Sequence, residues 1–205
     1  MPLLLLIRHG ENEYVKRGRL AGRLPGVHLN DNGRHQAQEL AEKLAGAPIS
    51  AIYSSPLERA IETARPLAEY LKLEIISKDG LLETDYCEWQ GQTLKGLRRR
   101  KLWRSIQNTP SQVRFPGGET FAECQDRVCR ELQTICAQHD PKNLIACVFH
   151  ADPIKLAVAH YIGLPLDHFQ RLSSAPASIT VLQIEDSRAH LVTLNYHLSL
   201  NFPKP

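Results

Sequence analysis

A short apolar run near the start of the chain ends abruptly in residues of a different kind. Residues 3–7 are four leucines and an isoleucine, and Arg8, His9 and Gly10 follow them. A run of this length and polarity is typical of a strand buried on both faces of a parallel sheet. Open α/β sheets bind ligands just beyond the carboxyl ends of such strands. The pattern therefore predicts Arg8 and His9 at a ligand-binding edge, and a strand followed by a polar surface turn is the alternative.

The composition is that of an ordinary globular protein. The chain has 205 residues, of which 42% are hydrophobic and 23% charged, enough for one substantial core or a core with a cap. The net charge of +3 is too small to indicate a nucleic-acid partner. The apolar start lacks a basic leader and is cut off by Arg8, and no stretch has the length of a membrane span. We expect a cytoplasmic protein without a signal peptide or a membrane partner.

The cysteines indicate a reducing environment. They are odd in number and form no CxxC pair, which favours reduced, buried thiols over disulfides. No pattern supports a cysteine nucleophile or a zinc site. The five cysteines are Cys87, Cys124, Cys129, Cys136 and Cys147.

Short apolar runs alternate with helical patterns along the chain, which indicates an α/β fold with helices layered on a sheet. Strands are expected at residues 3–7, 48–53, 74–76 and 144–149, with a closing pair at 178–184 and 190–195. Helices are expected at residues 31–44, 56–71, 94–106, 120–138 and 153–161. No repeat or low-complexity linker divides the chain, so residues 1–205 are expected to form a single domain.

Two segments are candidates for a cap or lid, residues 11–29 and residues 84–118. The first is a long loop rich in glycine and arginine, which either closes over an anionic ligand or is a solvated surface loop. The second contains the basic run 98–101, which is more typical of a solvated helix face than of substrate contact.

Polar and charged residues follow the predicted strands at matching positions. Two strongly apolar strands end in His9 and His150, and Arg8 and Arg59 lie at comparable strand ends. Because such ends meet at one edge of a parallel sheet, these four side chains are expected to cluster. Arginine forks match phosphate oxygens, so the natural occupant is a phosphoryl group.

The helices that follow these strand ends have predicted caps. Ser54 or Ser55 is expected to cap the helix that carries Arg59, with Pro56 in its first turn. Asp152 is expected to cap the helix opened by Pro153, and the alternative is that its carboxylate repels a second negative group on the substrate.

Five motifs resemble those of the histidine phosphatase superfamily, also called phosphoglycerate mutase-like. The first, Arg8-His9-Gly10, is similar to the RHG signature of that family. One such tripeptide is weak evidence, whereas five motifs in family order are strong. They lie at residues 6–11, 54–64, 81–91, 116–120 and 149–152.

The resemblance implies a fold and a set of roles. The fold would be a three-layer α/β/α sandwich with a mostly parallel central sheet. His9 would be the nucleophile, kept neutral by Arg8, Arg59 and His150, with its second ring nitrogen held by a backbone carbonyl. Glu83 would be the general acid and then the base, with a pKa raised by burial or by bound phosphate.

The same resemblance implies a set of contacts to the substrate. Arg8, Arg59 and His150 would hold the phosphoryl oxygens and stabilise charge in the transition state. We place four further residues among the phosphate and substrate contacts, namely Asn12, Gly22, Arg23 and Ala151. No cofactor and no metal is implied, and the partner is a small phosphorylated substrate of a monomer or a homodimer.

Four positions depart from the family pattern. Val15 stands where the mutases often have asparagine, and Cys87 stands where the motif usually has glycine. Ala151 and Asp152 replace the commoner pair of glycines after His150. These departures concern the identity of the substrate more than the chemistry, and the sequence does not identify the substrate.

Hydrolysis of a phosphate monoester is the favoured activity, because the segment after Glu83 is short, as in the small phosphatases of the family. A phosphoglycerate mutase-like phosphotransferase is the alternative. A non-catalytic module would bind phosphorylated ligands with Arg8 and Arg59 alone, and His9 and Glu83 argue against it. A metallohydrolase built on His9, Glu11, His150 and Asp152 is a further alternative, but these spacings match no standard ligand set.

Overall fold

A computed structural model of the chain describes residues 2–185 and 188–197. Among these residues, no helix combines the length and the apolar character that crossing a membrane requires.

One mixed sheet forms the centre of the molecule. Its order is β3-β2-β4-β1-β5-β6; the first four strands are parallel, and β5 and β6 are antiparallel to their neighbours. This confirms the predicted mostly parallel sheet and its closing antiparallel pair. The strands are β1 (Leu3–Arg8), β2 (Ile49–Ser54), β3 (Ile75–Ser77), β4 (Leu144–Phe149), β5 (Ile179–Glu185) and β6 (Arg188–Tyr196).

Helices cover both faces of this sheet. The longer ones satisfy their first amides with side-chain caps where the sequence allows it: Asn30 accepts from Gly33 N, and Thr120 forms a capping box with Glu123. The helices are α1 (Glu13–Lys16), α2 (Asp31–Leu44), α3 (Glu58–Leu71), α4 (Leu94–Leu97), α5 (Lys101–Asn108), α6 (Phe121–Ala137) and α7 (Ala151–Tyr161).

The apolar run of β1 is buried on both faces, as predicted. Leu4 and Leu6 pack into a core with α6 and α7, whereas Leu5 and Ile7 pack into a second core with α2 and α3. Successive side chains of a strand point to opposite faces, so one continuous apolar run serves both cores. The resulting three-layer α/β/α sandwich is the predicted fold.

A third apolar cluster lies beyond the sheet, beside α6 and α7. Trp89, Leu97 and Phe115 from the segment 84–118 pack there against Phe121 and Phe169. The segment thus carries its own core instead of lying on the surface as an unpacked loop.

Four local predictions are wrong. The pattern at 94–106 is divided into α4 and α5 instead of one helix, and Cys87 is exposed whereas the other four thiols are buried. Helix α3 begins at Glu58 without a side-chain cap, because the Ser55 hydroxyl lies 2.8 Å from a ring nitrogen of His150. Asp152 lies within the first turn of α7 and binds Tyr86 and Lys155 instead of capping the helix.

The turn after β1 lies in close backbone contact with the start of α2. A Cβ atom added at Gly10 would lie 2.7 Å from the carbonyl oxygen of Gly33, and one added at Gly33 would lie 2.0 Å from that of Glu11. These are backbone atoms, which cannot move aside as a flexible side chain can. The close approach of two glycines therefore fixes the turn that carries His9.

We expect Gly33→Ala to lower the free energy of unfolding by about 2 kcal/mol or more, since the added methyl group overlaps the turn. The measurement is equilibrium unfolding in urea. Gly46→Ala is the matched control, because no atom lies within 4 Å of the added Cβ. It should change the free energy of unfolding by less than about 1 kcal/mol. Equal stability of the two variants would contradict the proposed contact.

Candidate active site

The parallel pairing of β1 and β4 brings the predicted residues together. Arg8 is in register with Phe149, so His9 and His150 leave adjacent strands side by side, with ring centroids 5.2 Å apart. Arg59 enters from the first turn of α3, which follows the neighbouring strand β2. The predicted cluster at one sheet edge is confirmed.

His9 is buried, with 4% of its surface exposed, and both ring nitrogens are engaged. Its Nδ1 lies 2.7 Å from the carbonyl oxygen of Gly10, as the sequence predicted, so Nδ1 carries the proton of the neutral ring. Nε2 accepts from Nε of Arg59 at 3.3 Å and presents its lone pair toward that arginine.

Burial is the main reason that the pKa of His9 lies well below its usual value, followed by the charges of Arg59 and Arg8. The same causes lower the pKa of His150, again with burial first. His150 is therefore neutral and carries no charge with which to lower the pKa of His9. This corrects the role expected of His150, while the expected roles of the two arginines in the pKa of His9 agree with the structure.

Both arginines are held by backbone carbonyl groups. Nη1 of Arg8 donates to the carbonyl oxygen of Ser174 at 2.6 Å, and Nη2 of Arg59 donates to that of Gly22 at 2.7 Å. A carbonyl oxygen orients a guanidinium group without cancelling its charge. Gly22 thus acts at the site through its backbone.

Three buried nitrogen donors beside His9 lack a hydrogen-bond partner among the described residues. They are Nε of Arg8, Nη1 of Arg59 and Nδ2 of Asn12. Asn12 is itself fixed, because its side-chain oxygen accepts from Val15 N at 2.9 Å. Buried donors without partners are costly, so this end of the site is suited to an anion that accepts from all three.

Glu83 lies near this group with the properties of an acid that is protonated near neutrality. It is 9% exposed, and one carboxylate oxygen accepts from Thr84 N at 2.9 Å. Burial first, and then the neighbouring charge of Asp152, raise its pKa to about 7. The pKa of Glu83 is thus raised, as predicted, and this does not require a bound phosphate.

Asp152 is held in the charged form by two partners. The Tyr86 hydroxyl donates to one of its oxygens at 2.6 Å, and Nζ of Lys155 lies 2.7 Å from the other. Burial acts to raise the pKa of Asp152, but these two contacts keep it below its usual value. A fixed carboxylate therefore stands next to Glu83.

Arg23, predicted as a substrate contact, instead supports Glu83. Its Nε donates to the backbone carbonyl of Glu83 at 2.7 Å, and its Nη2 donates to Glu119 at 3.0 Å. Glu119 also pairs with Arg127, at 2.8 Å. Sequence reasoning gave no role to Glu119 or Arg127, although Glu119 stands inside the motif at 116–120, which was the available signal.

A cavity of about 390 Å³ opens over these residues. Arg8, His9, Asn12, Arg59 and Glu83 line one end of it, and Gly22 and Ala151 lie in its wall as predicted. Most of its remaining wall comes from the two segments predicted as cap or lid, and Phe121, Asp152 and Gln170 complete it. Sequence reasoning missed the apolar residues of this wall. Leu94, Trp103 and Ile106 have a helical spacing that is equally typical of an ordinary core, and Leu20 lies in the predicted loop.

The two wall segments are joined by backbone hydrogen bonds. Leu20 N donates to the carbonyl of Gln92 at 3.0 Å, and Gly91 N donates back to that of Leu20 at 2.7 Å. Leu94 N donates to the carbonyl of Gly18 at 2.8 Å. Residues 11–29 and 84–118 therefore form one continuous wall.

The ligand set of the metallohydrolase alternative is not assembled. Across residues 2–185 and 188–197, no group of three or more histidine, cysteine, aspartate or glutamate side chains is placed to hold a metal ion. Glu11 instead accepts from the side chain of Asn30 at 2.9 Å.

The fold and the sheet-edge cluster agree with comparisons to known proteins. The family model of the histidine phosphatase superfamily (branch 1) matches residues 4–197. The chain therefore belongs to the histidine phosphatase superfamily, as the five motifs predicted.

Individual relatives include phosphatases and a mutase. Phosphoserine phosphatase 1 of Hydrogenobacter thermophilus is 32% identical and is matched over 95% of this chain and 92% of its own. The 2,3-bisphosphoglycerate-dependent phosphoglycerate mutase of Thermoplasma acidophilum is 27% identical, with 92% and 90% covered. The solved structure of a mycobacterial glucosyl-3-phosphoglycerate phosphatase with VO3 has a TM-score of 0.88 and 27% identity, over 96% of this chain and all of that one.

We expect His9 and His150 to remain neutral as the pH falls from 8 through the ordinary histidine range near about 6.5, because burial and the two arginines disfavour the charged ring. The measurement is ¹⁵N NMR of the imidazole nitrogens during a pH titration. His28 is the internal control, since its hydrogen bond to Glu62 raises its pKa and it should become protonated first. Protonation of His9 before His28 would contradict the described electrostatics.

Proposed function

We propose that the protein hydrolyses a small phosphate monoester through a phosphohistidine intermediate on His9, with Glu83 as general acid and base. The observation that carries the proposal is the group of three unpartnered buried donors, from Arg8, Arg59 and Asn12, around the neutral imidazole. They offer an anion its hydrogen bonds at the place where Nε2 of His9 carries a lone pair.

In the first step, Nε2 of His9 attacks phosphorus and forms the P–N bond while the bond from phosphorus to the alcohol oxygen breaks. Glu83, protonated near neutrality, gives its proton to that leaving oxygen. The alcohol departs, and the carboxylate of Glu83 remains. Nδ1 keeps its proton throughout, because the Gly10 carbonyl accepts from it and stabilises the positive charge that develops on the ring.

In the second step, the Glu83 carboxylate takes a proton from a water molecule as its oxygen attacks phosphorus. The P–N bond breaks, inorganic phosphate is released, and the neutral imidazole and protonated Glu83 are restored. Arg8 and Arg59 stabilise the negative charge on the phosphoryl oxygens in both steps.

His150 and Ala151 complete the proposed phosphoryl site. The Ser55 hydroxyl lies 2.8 Å from Nε2 of His150 and Nη2 of Arg59 lies 3.3 Å from Nδ1. A guanidinium nitrogen can only donate, so Nδ1 accepts from Arg59, and the neutral ring keeps its proton on Nε2 and donates it to the Ser55 hydroxyl. His150 thus holds Arg59 in place for the phosphoryl oxygens. Ala151, the first residue of α7, lines the cavity beside His150, and its small side chain leaves space there.

A mutase is the second candidate, since the Thermoplasma acidophilum relative has that name. A mutase must hold a substrate with negative groups at both ends. The guanidinium groups of half-buried Arg8 and buried Arg59 lie together at one end of this cavity, which favours transfer to water. A cytoplasmic location and a monomeric or homodimeric state remain predictions.

We expect a ³²P-labelled monoester to label the protein with an acid-labile, base-stable adduct, as a phosphoramidate bond requires, when the reaction is quenched within milliseconds. His9→Ala should lose the adduct and at least about a thousandfold in kcat, because the nucleophile is gone. His35→Ala is the matched control: this histidine is exposed on α2, and both labelling and turnover should be unchanged. Circular dichroism checks that both variants are folded.

Full turnover by His9→Ala would overturn the histidine mechanism, and ligand binding with no turnover in the wild type would favour the non-catalytic module. Transfer of the label to a second hydroxyl group of the substrate, instead of to water, would establish the mutase.

We expect kcat/KM to fall as the pH rises above about 7, since Glu83 must carry a proton to act as an acid and its pKa is about 7. Asp152→Asn removes a negative charge that raises this pKa, so the fall should begin at lower pH. Glu83→Gln should lower kcat by about 100-fold or more below about pH 7, where wild-type Glu83 carries its proton, and the deficit should shrink at higher pH. The measurement is a pH profile of each variant with the same substrate.

Asp126→Asn is the control for the charge change, since Asp126 is exposed on α6 and pairs with Arg130. It should leave the midpoint of the profile in place. A midpoint that stays fixed or rises in Asp152→Asn would show that Asp152 does not act on Glu83.

A further inference from the structure

The two ends of the cavity differ in chemistry. Charged and polar groups surround His9 at one end, whereas the wall formed by the two cap segments is largely apolar. Trp103 and Ile106 of α5 face this space with Leu94 of α4 and Leu20 of the first segment. Trp89 and Phe115 from the apolar cluster of the cap also reach the wall.

The apolar end offers no buried cation among the described residues. Besides Arg8 and Arg59, the only arginine or lysine in the described wall is Arg19. Arg19 is exposed, donates through Nε and Nη2 to the carbonyl of Gly91 at 2.9 and 2.5 Å, and stacks over the ring of Tyr14. The carbonyl leaves the charge of Arg19 in place, but because Arg19 is exposed, solvent and salt screen that charge.

The basic run of the cap does not supply the missing charge. Arg98, Arg99 and Lys101 are exposed and do not line the cavity, and Arg100 donates to Gln92 and lies 5.6 Å from the ring of Trp89. This favours the solvated helix face over substrate contact as the role of the run.

The charge beside Glu83, where the leaving alcohol would depart, is negative. Asp152 lines the cavity, and Tyr86 and Lys155 keep it in the charged form. A second anionic group on a substrate would approach this carboxylate with only the exposed Arg19 to compensate, and it would also lose its hydration against the apolar wall.

We infer that the alcohol portion of the substrate is uncharged and largely apolar, of the size of an aromatic ring, and that it lies against Trp103 and Leu94. Phosphorylated carboxylic acids are then poor substrates. This inference rests on the proposed function, since it names the substrate class of the same site.

The size of the cavity agrees with this substrate class. A volume of about 390 Å³ lies in the range of pockets that enclose drug-sized ligands, and is larger than a phosphoryl group needs. Each methylene group buried there should raise kcat/KM by about fourfold. A phenyl ring added to a short alkyl phosphate should therefore raise it by at least about 30-fold, after a discount for incomplete burial.

The test compares three esters of primary alcohols, whose leaving oxygens are chemically alike: propyl phosphate, 3-phenylpropyl phosphate and 3-phosphoglycerate. We expect kcat/KM to be at least about 30-fold higher for 3-phenylpropyl phosphate than for propyl phosphate, and lowest for 3-phosphoglycerate. Phosphate release at pH 6.5 is the measurement, and the ratio between esters cancels differences in active enzyme.

Substitutions in the apolar wall test whether it causes the preference for the phenyl ester. Trp103→Ala should reduce the ratio of 3-phenylpropyl to propyl phosphate by at least about fivefold, because it removes apolar contact area. Leu94→Gln, at a half-buried position, should reduce the ratio in the same direction if Trp103→Ala fails to fold. Tyr70→Ala is the matched control, an exposed aromatic residue on α3 outside the cavity, and should leave the ratio unchanged.

The outcomes separate this inference from the proposed function. If 3-phosphoglycerate is the best of the three esters, and Arg19→Ala removes that advantage, the inference is wrong while hydrolysis through His9 stands. A ratio that is unchanged in both Trp103→Ala and Leu94→Gln likewise overturns the inference alone. If none of the esters labels His9 or releases phosphate, the proposed function fails and the inference fails with it.

Discussion

Two guanidinium groups held by backbone carbonyls, instead of by carboxylates, are the constraint on which the site depends. Arg8 donates to Ser174 and Arg59 to Gly22, so both are oriented while their charges stay available. Burial, followed by these charges, keeps the nearby imidazole of His9 neutral, and the charges favour the binding of an anion. The two arginines thus help to keep the His9 nucleophile neutral and also attract the phosphoryl group that it attacks.

Near these arginines, the site also keeps a carboxyl group protonated at neutral pH. Glu83 needs a proton near neutrality, and burial together with the charge of Asp152 provides it. Lys155 and Tyr86 hold Asp152 in its charged form, so the two carboxyl groups have different protonation states in one cavity. Pairs of acids whose environments separate their pKa values are a general route to acid–base chemistry at neutral pH.

Sequence reasoning was most accurate for residues whose type and position allow one structural role. The apolar run of β1, the histidines after β1 and β4, and Arg59 were placed correctly because parallel strand ends must meet at one edge. It failed for side chains that can bind either a nearby backbone group or a residue distant in sequence. Ser55 and Asp152 were predicted to cap helices, but they bind His150 and Tyr86 instead. No local sequence pattern indicates such a contact. The apolar wall was missed because helical spacing alone does not distinguish a core from the lining of a cavity.

The backbone ladder between residues 11–29 and 84–118 has a consequence for engineering. Each segment satisfies amide and carbonyl groups of the other, through Leu20, Gly91 and their neighbours. Grafting one segment from a relative would leave those groups without partners, whereas grafting both would carry the ladder along intact. The two segments are therefore one exchangeable module, which can be replaced as a pair on a scaffold whose sheet edge and His9 stay in place.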